Sequence, residues 1–327
     1  MSQSLCHLMR QVGQMSYIAF SPRASLALPK VSPVPSFRHL NRTPQIHGLL
    51  FSGRYCPKST MTTTSAFFKA SDDFDQVQAS RPDFKRDAEV KFSKPPKPDW
   101  KEGDGGNDGG ESLNKKHIEI DPYAEGRPVS NNYKLLISGM VPRPIALIST
   151  KSKDGKTANL APFSYAQVIN HDPPLFTVGF VGSLEKAKDS LRNLTETGEC
   201  VINIISEHFV EAANATAVNA PYGVSEWEIS GLHQAPSSIV QAARVKESML
   251  SIEGKLVETK EFESRGTPGK KTGVLAIIEG VRFWAREDAI DQETNVIDLK
   301  VLKPISRLGG LAYGRTTEAI EIPRPKF

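Results

Sequence analysis

Residues 141–180 read VPRPIALISTKSKDGKTANLAPFSYAQVINHDPPLFTVGF. Ile145–Ser149, Ala166–Ile169 and Leu175–Val181 are short runs rich in β-branched and aromatic residues, and each predicts a strand. Asp154-Gly155 is a hairpin-turn dipeptide, and Asp172-Pro173-Pro174 breaks the chain between the later two runs. Further along, Cys200–Ile205, Met249–Val257 and Val274–Trp284 repeat the strand pattern. Helix formers with apolar residues three and four apart occupy Lys186–Thr197 and Glu207–Val218, and Gly198 suits the position just past a helix end. Many strands, few helices and short turns predict a mainly β fold, an antiparallel barrel with flanking helices. A doubly wound sheet needs regular strand–helix alternation, which fails after Val218.

Upstream of this block the composition changes. The chain has 327 residues and a formal net charge of +4, from 41 Lys and Arg against 37 Asp and Glu. Residues 1–70 carry eight of the basic residues and no acid, the first being Asp72, so the rest of the chain holds 33 basic and 37 acidic residues. An acid-free leader with Ser and Arg, and with Leu8, Met9, Val12, Met15 and Ile18 spaced as an apolar helical stripe, is the composition of a mitochondrial transit peptide, expected as a disordered extension of the fold. Met61 offers a second start, from which the product would be cytoplasmic. Residues 71–115 alternate charge with Pro and Gly and read as a solvated linker or strap, with the folded domain over 116–327. Phe92 and Trp100 lie among lysines, but Asp99, Glu102 and Asp104 interrupt the run, which argues against nucleic acid. No run of about 18 apolar residues is present, so no membrane-spanning helix is expected.

The familiar catalytic signatures are missing. There is no GxGxxG after a strand, no HExxH and no GxSxG, and Gly266–Thr272 has the wrong spacing for a phosphate loop. Three cysteines, Cys6, Cys56 and Cys200, lie too far apart for a CxxC site. His171, His208 and His233 read as turn or surface residues. With no reactive side-chain constellation, the chemistry points to a bound cofactor.

Ordered motifs point the same way. Pro142-Arg143-Pro144, Ser149-Thr150, Asp154-Gly155, Asn159, Ala161-Pro162-Phe163-Ser164 and Asp172-Pro173-Pro174 are followed by Lys188-Asp189-Ser190, Asn193, Glu199–Asn203 and Arg307-Leu308-Gly309-Gly310 with Tyr313. In this order, over residues 125–316, the sequence resembles the flavin reductase-like family of FMN-binding split barrels that includes flavoredoxin. Singly the motifs have plainer readings: the prolines bracket a strand, Asp154-Gly155 is a turn, and Lys188-Asp189-Ser190 is a solvated helix turn.

An FMN phosphate needs cations and short hydroxyl or amide donors, which Arg143, Ser149, Thr150, Ser164, Lys188 and Ser190 offer. The resemblance implies that Asn159 and the backbone through Ala161, Pro162 and Ser164 face the flavin, with Lys188 and Ser190 holding phosphate at a helix start. It also implies a homodimer and hydride transfer from NADH or NADPH to bound FMN, then to an acceptor. His233 and Tyr313 are the side chains to test as proton or stacking partners. The alternatives are an FMN electron carrier and a non-enzymatic split barrel holding haem or a protein.

Overall fold

The computed structural model describes residues 74–221 and 223–325. The basic leader, its expected disorder and targeting role, Cys6 and Cys56 lie outside the described residues.

The core is one antiparallel sheet of seven strands. These are β1 (Ala146–Lys151), β2 (Ala158–Phe163), β3 (Ala166–His171), β4 (Pro174–Val181), β5 (Glu199–Ile204), β6 (Leu250–Glu263) and β7 (Lys271–Ala285). Their spatial order is β2-β1-β5-β6-β7-β4-β3. The two edges, β2 and β3, are therefore consecutive in sequence and joined only by Ser164 and Tyr165. A sheet whose edges meet through two residues has to curl on itself, and that makes the barrel. Register shifts at Ile277/Ile278 and Gly280/Arg282 bend the long β6–β7 pair around it.

The strands alternate as a two-sided sheet requires. Ala146, Ile148, Val178, Ile202, Ile252 and Ile278 turn to one face and form the interior cluster. Gly254 sits where a Cβ would come within 2.5 Å of Ile278 Cγ2 and 3.2 Å of Cys200 Sγ, so the interior has no room for a side chain there. Leu147, Leu160, Phe209, Trp227 and Ile305 form a second cluster, which includes the opposite faces of β1 and β2. Two helices supply part of that cover, α3 (Val210–Ala215) and α4 (Glu226–Ser230), while α2 (Asp189–Thr197) packs Leu191 and Leu194 into the interior cluster.

Local expectations hold where turn chemistry is strong. Gly155 takes φ 73° in the β1–β2 hairpin and Gly198 takes φ 71° at the α2 C-cap. α2 begins at Asp189 rather than Lys186, and the helix expected over Glu207–Val218 is a 3-10 turn followed by the shorter α3. Elements not anticipated include α1 (Val129–Gly139), β2 itself, α4, and the hairpin Ile305–Gly309 with Ala312–Arg315. The segment read as linker also contributes to the fold. Lys91–Ser93 pairs in parallel with Glu318–Ile320. Nearby, the Arg315 guanidinium grips Glu207 at 2.6 and 3.0 Å, donates to the Lys85 carbonyl at 3.0 Å, and lies 4.1 Å from the Phe84 ring centre.

Candidate functional site

The site expected from sequence centres on β2 and the start of α2, and a buried polar layer joins them. Asn159 and Thr150 sit opposite each other on β2 and β1. Asn159 bonds to the Ser190 hydroxyl at 2.7 Å, and one helical turn later Asn193 Nδ2 donates to Thr150 Oγ1 at 3.1 Å. All four are at most 4% exposed. Two amide–hydroxyl pairs, three residues apart on the helix, thus clamp the first turn of α2 to the sheet.

The outer side of β2 is protected by α4. The Ser225 hydroxyl donates to the Ala158 carbonyl at 2.8 Å, and Glu226 Oε2 accepts from the Leu160 amide at 3.2 Å. Pro162 continues this outward row and has no N–H to leave unpaired, which suits an edge strand. Beyond it come half-buried Ser164 and exposed Tyr165, whose carbonyl accepts from Gly179 N at 2.7 Å. Gly179 admits no Cβ comfortably, because one would lie 3.1 Å from Tyr165 Cβ.

Of the nine residues singled out from sequence, Asn159, Ala161, Pro162, Ser164, Lys188 and Ser190 fall along β2, the corner and the start of α2. Lys188 is the exposed N-cap residue of α2; its side chain does not cap the helix, and its Nζ donates to Asn219 Oδ1 at 3.1 Å. Thr150 belongs to the clamp beneath them. Ser149 points to the opposite face, its hydroxyl bonded to the Ala243 carbonyl. Arg143 holds the carbonyls of Ile137 and Met140 at the end of α1, at 2.6 and 2.8 Å. The structure therefore does not gather Arg143 and Ser149 with the rest.

A family model for the flavin reductase like domain matches residues 138–304. The chain belongs to this family. An uncharacterized protein of Halalkalibacterium halodurans is 36% identical over 210 residues, covering 64% of this chain and 97% of that protein. Among solved structures, nitrilotriacetate monooxygenase component B from Bacillus cereus is 33% identical with a TM-score of 0.59, covering 64% of this chain and 100% of its own. The 2-nitrobenzoate 2-nitroreductase NbaA of Pseudomonas fluorescens is 28% identical with a TM-score of 0.56, over 65% and 98% of the two chains.

Within this flavin reductase-like domain Glu226, held against β2, is 5% exposed. Burial raises its pKa, outweighing the hydrogen bonds from its own and the Leu160 amide, and the charge of Asp189 pushes the same way. No sequence motif singles out Glu226. The other candidates are engaged elsewhere. His233 is exposed, with Nδ1 2.6 Å from Glu247 Oε1. The Tyr313 hydroxyl donates to Asn214 Oδ1 at 2.6 Å, its ring lies 4.4 Å from the Arg307 guanidinium, and burial raises its pKa. Burial pushes the Cys200 thiol up to about 12, which makes it an inert core residue. Among the described residues no group of three or more His, Cys, Asp and Glu is placed to hold a metal.

Proposed function

We propose that this chain is an FMN-dependent oxidoreductase of the flavin reductase type that takes hydride from NADH or NADPH. The observation that carries the reading is the clamp of α2 onto β2. It sets the start of α2, which follows Lys188 and has no side-chain cap, against Asn159 of β2 and Thr150 of β1.

The residues present suit the cofactor. Uncapped first-turn amides and Lys188 match a phosphate dianion. The small side chain of Ala161, the fixed backbone of Pro162 and the Ser164 corner leave a low, rigid strand for a flat ring. When bound, FMN supplies a two-electron centre between the nicotinamide donor and an acceptor. The chain's own part is to bind and orient: the Asn159–Ser190 and Thr150–Asn193 pairs fix the helix start, and the Ala161–Ser164 backbone offers main-chain polar groups. No described side chain is assigned a proton-transfer role.

A homodimer accompanies this reading. Leu136 on α1, Met140 just after it, and Val168 and Ile169 on β3 are exposed, and an apolar edge strand is a surface that proteins cover. The acid-free leader supports import into mitochondria, with a cytoplasmic product from Met61.

The test is the absorption spectrum of the purified full chain. It is expected to be yellow, or to become so on reconstitution with FMN, and to bleach within seconds of anaerobic mixing with NADH or NADPH. A protein that takes up no flavin overturns the proposal; one that takes it up without bleaching supports the electron carrier.

A further inference from the structure

Phe84-Lys85-Arg86 lies N-terminal to the flavin reductase-like domain, in the segment read from sequence as a linker. It is held against the barrel. Arg315 donates to the Lys85 carbonyl at 3.0 Å and lies 4.1 Å from the Phe84 ring centre, and buried Val90 and the paired strand Lys91–Ser93 follow. Between this strap and the barrel is an open cleft. Phe84 and Arg86 form its strap side. Glu207, His208 and buried Met249 form the barrel side, and Val301 and Lys303 complete it.

The charges in the cleft are unevenly matched. Glu207 is the one acid among the lining residues, and both its oxygens are taken by Arg315 at 2.6 and 3.0 Å. Asp87 and Glu89 lie close to Arg86 in the chain but do not line the cleft. Neither the Arg86 guanidinium nor the Lys303 ammonium has a hydrogen-bond or ion-pair partner among the described residues. Two unpaired cations beside the apolar surfaces of Phe84, Met249 and Val301 suit an organic anion. The Phe84 ring and the Met249 thioether favour a flat ring as its apolar part.

Lys303 stands out in its backbone as well. It ends the helix Leu299–Leu302 with φ 40° and ψ 60°, a left-handed conformation that glycine adopts freely and lysine adopts at a cost. Its N–H donates to the Leu299 carbonyl and its carbonyl accepts from the Glu207 amide, both at 3.0 Å. Glycine would make both bonds, so they do not explain a lysine. The other non-glycine with positive φ among the described residues is Asn295, a residue type that tolerates it. What lysine adds at this position is an ammonium in the cleft.

We propose that the cleft between strap and barrel binds a small aromatic carboxylate, with Arg86 and Lys303 on the carboxylate and the ring among Phe84, Met249 and Val301. This site is separate from the proposed flavin site and does not depend on it.

The test is a titration of the full chain with benzoate, followed by saturation-transfer NMR with and without FMN. Benzoate is expected to bind with a Kd of about 1 mM, a strength in keeping with its size, and benzamide at least about tenfold more weakly. Arg86→Ala and Lys303→Gly should each weaken benzoate about tenfold, and Lys303→Arg should retain it. Lys303→Gly should at the same time melt about 2 °C higher, because the left-handed strain is relieved. A loss of benzoate together with a gain in stability shows that the lysine is there for its charge. A loss accompanied by lower stability would be a folding effect and overturns its role. Absence of binding at about ten times the expected Kd, or binding that neither Arg86→Ala nor Lys303→Gly changes, overturns the site. Displacement of benzoate by FMN would put it in the flavin site and also overturns the inference. Inorganic phosphate competing as well as benzoate would make the cleft a bare cationic patch and overturns the aromatic ligand.

Discussion

Glu226 and Glu253 are both buried glutamates in this domain, 5% and 0% exposed, yet their surroundings push them in opposite directions. Glu253, on β6, receives the backbone amides of Ser238, Ile239 and Val240 at 2.8, 2.6 and 3.0 Å, and the Trp284 indole N–H at 2.6 Å. Burial alone would raise its pKa, but those donors outweigh it and bring it down to about 2. Glu226 has the Leu160 amide and Asn159, with Asp189 nearby, and its pKa rises. Burial does not decide whether a carboxyl is a fixed anion or a titrating group; the number of donors aimed at it does. Glu253 pins the Ser238–Val240 loop to the barrel, whereas Glu226 is left able to change state.

Matched substitutions should separate the two most widely. Glu253→Gln turns an amide group toward donors that need an acceptor, and is expected to cost about 3 kcal/mol in urea denaturation. Glu226 receives fewer donors, and Glu226→Gln can keep its side-chain oxygen toward the Leu160 and Asn159 amides, so its cost should stay below about 1 kcal/mol. Equal losses would mean that donor number does not distinguish the sites.

Acidification gives the next largest effect. The folded pKa of Glu253 is depressed, so its stabilisation is present above the ordinary carboxylate value and is lost as pH falls toward about 2. For Glu226 the sign reverses. Its raised folded pKa gives stability that is complete below the ordinary value and declines as pH rises through the raised one. Melting temperature against pH should therefore lose its acid limb in Glu253→Gln and keep it in Glu226→Gln.

The comparison also marks how far sequence could reach. Asp154-Gly155, Gly198 and Asp172-Pro173-Pro174 act locally, and each lies where its turn chemistry requires. β2 was hidden because Pro162 argues against a central strand, and only the sheet order reveals an edge, where proline is tolerated. Ser149 and Thr150 were read as joint donors, but adjacent residues of a strand face opposite ways. Asn159 and Ser190 were legible as site residues through motif order. Glu226 was not, because its burial comes from α4 folding against β2, a contact between residues 66 apart in sequence.

Lys188 offers the smallest effect on stability and the sharpest contrast with the buried acids. It is exposed, and its one bond is to Asn219, so Lys188→Ala should change unfolding free energy by less than about 0.5 kcal/mol. Its charge still faces solvent at the start of α2, where a phosphate would sit, so FMN affinity should fall about tenfold at low salt. Salt should shrink that difference, because ions screen an exposed charge far better than a buried one. Titrating wild type and Lys188→Ala with FMN at low and at roughly physiological ionic strength checks this. If the Lys188→Ala loss were independent of salt, Lys188 would be acting through packing of the α2 start, and the phosphate would owe its place to the helix amides and Ser190 alone.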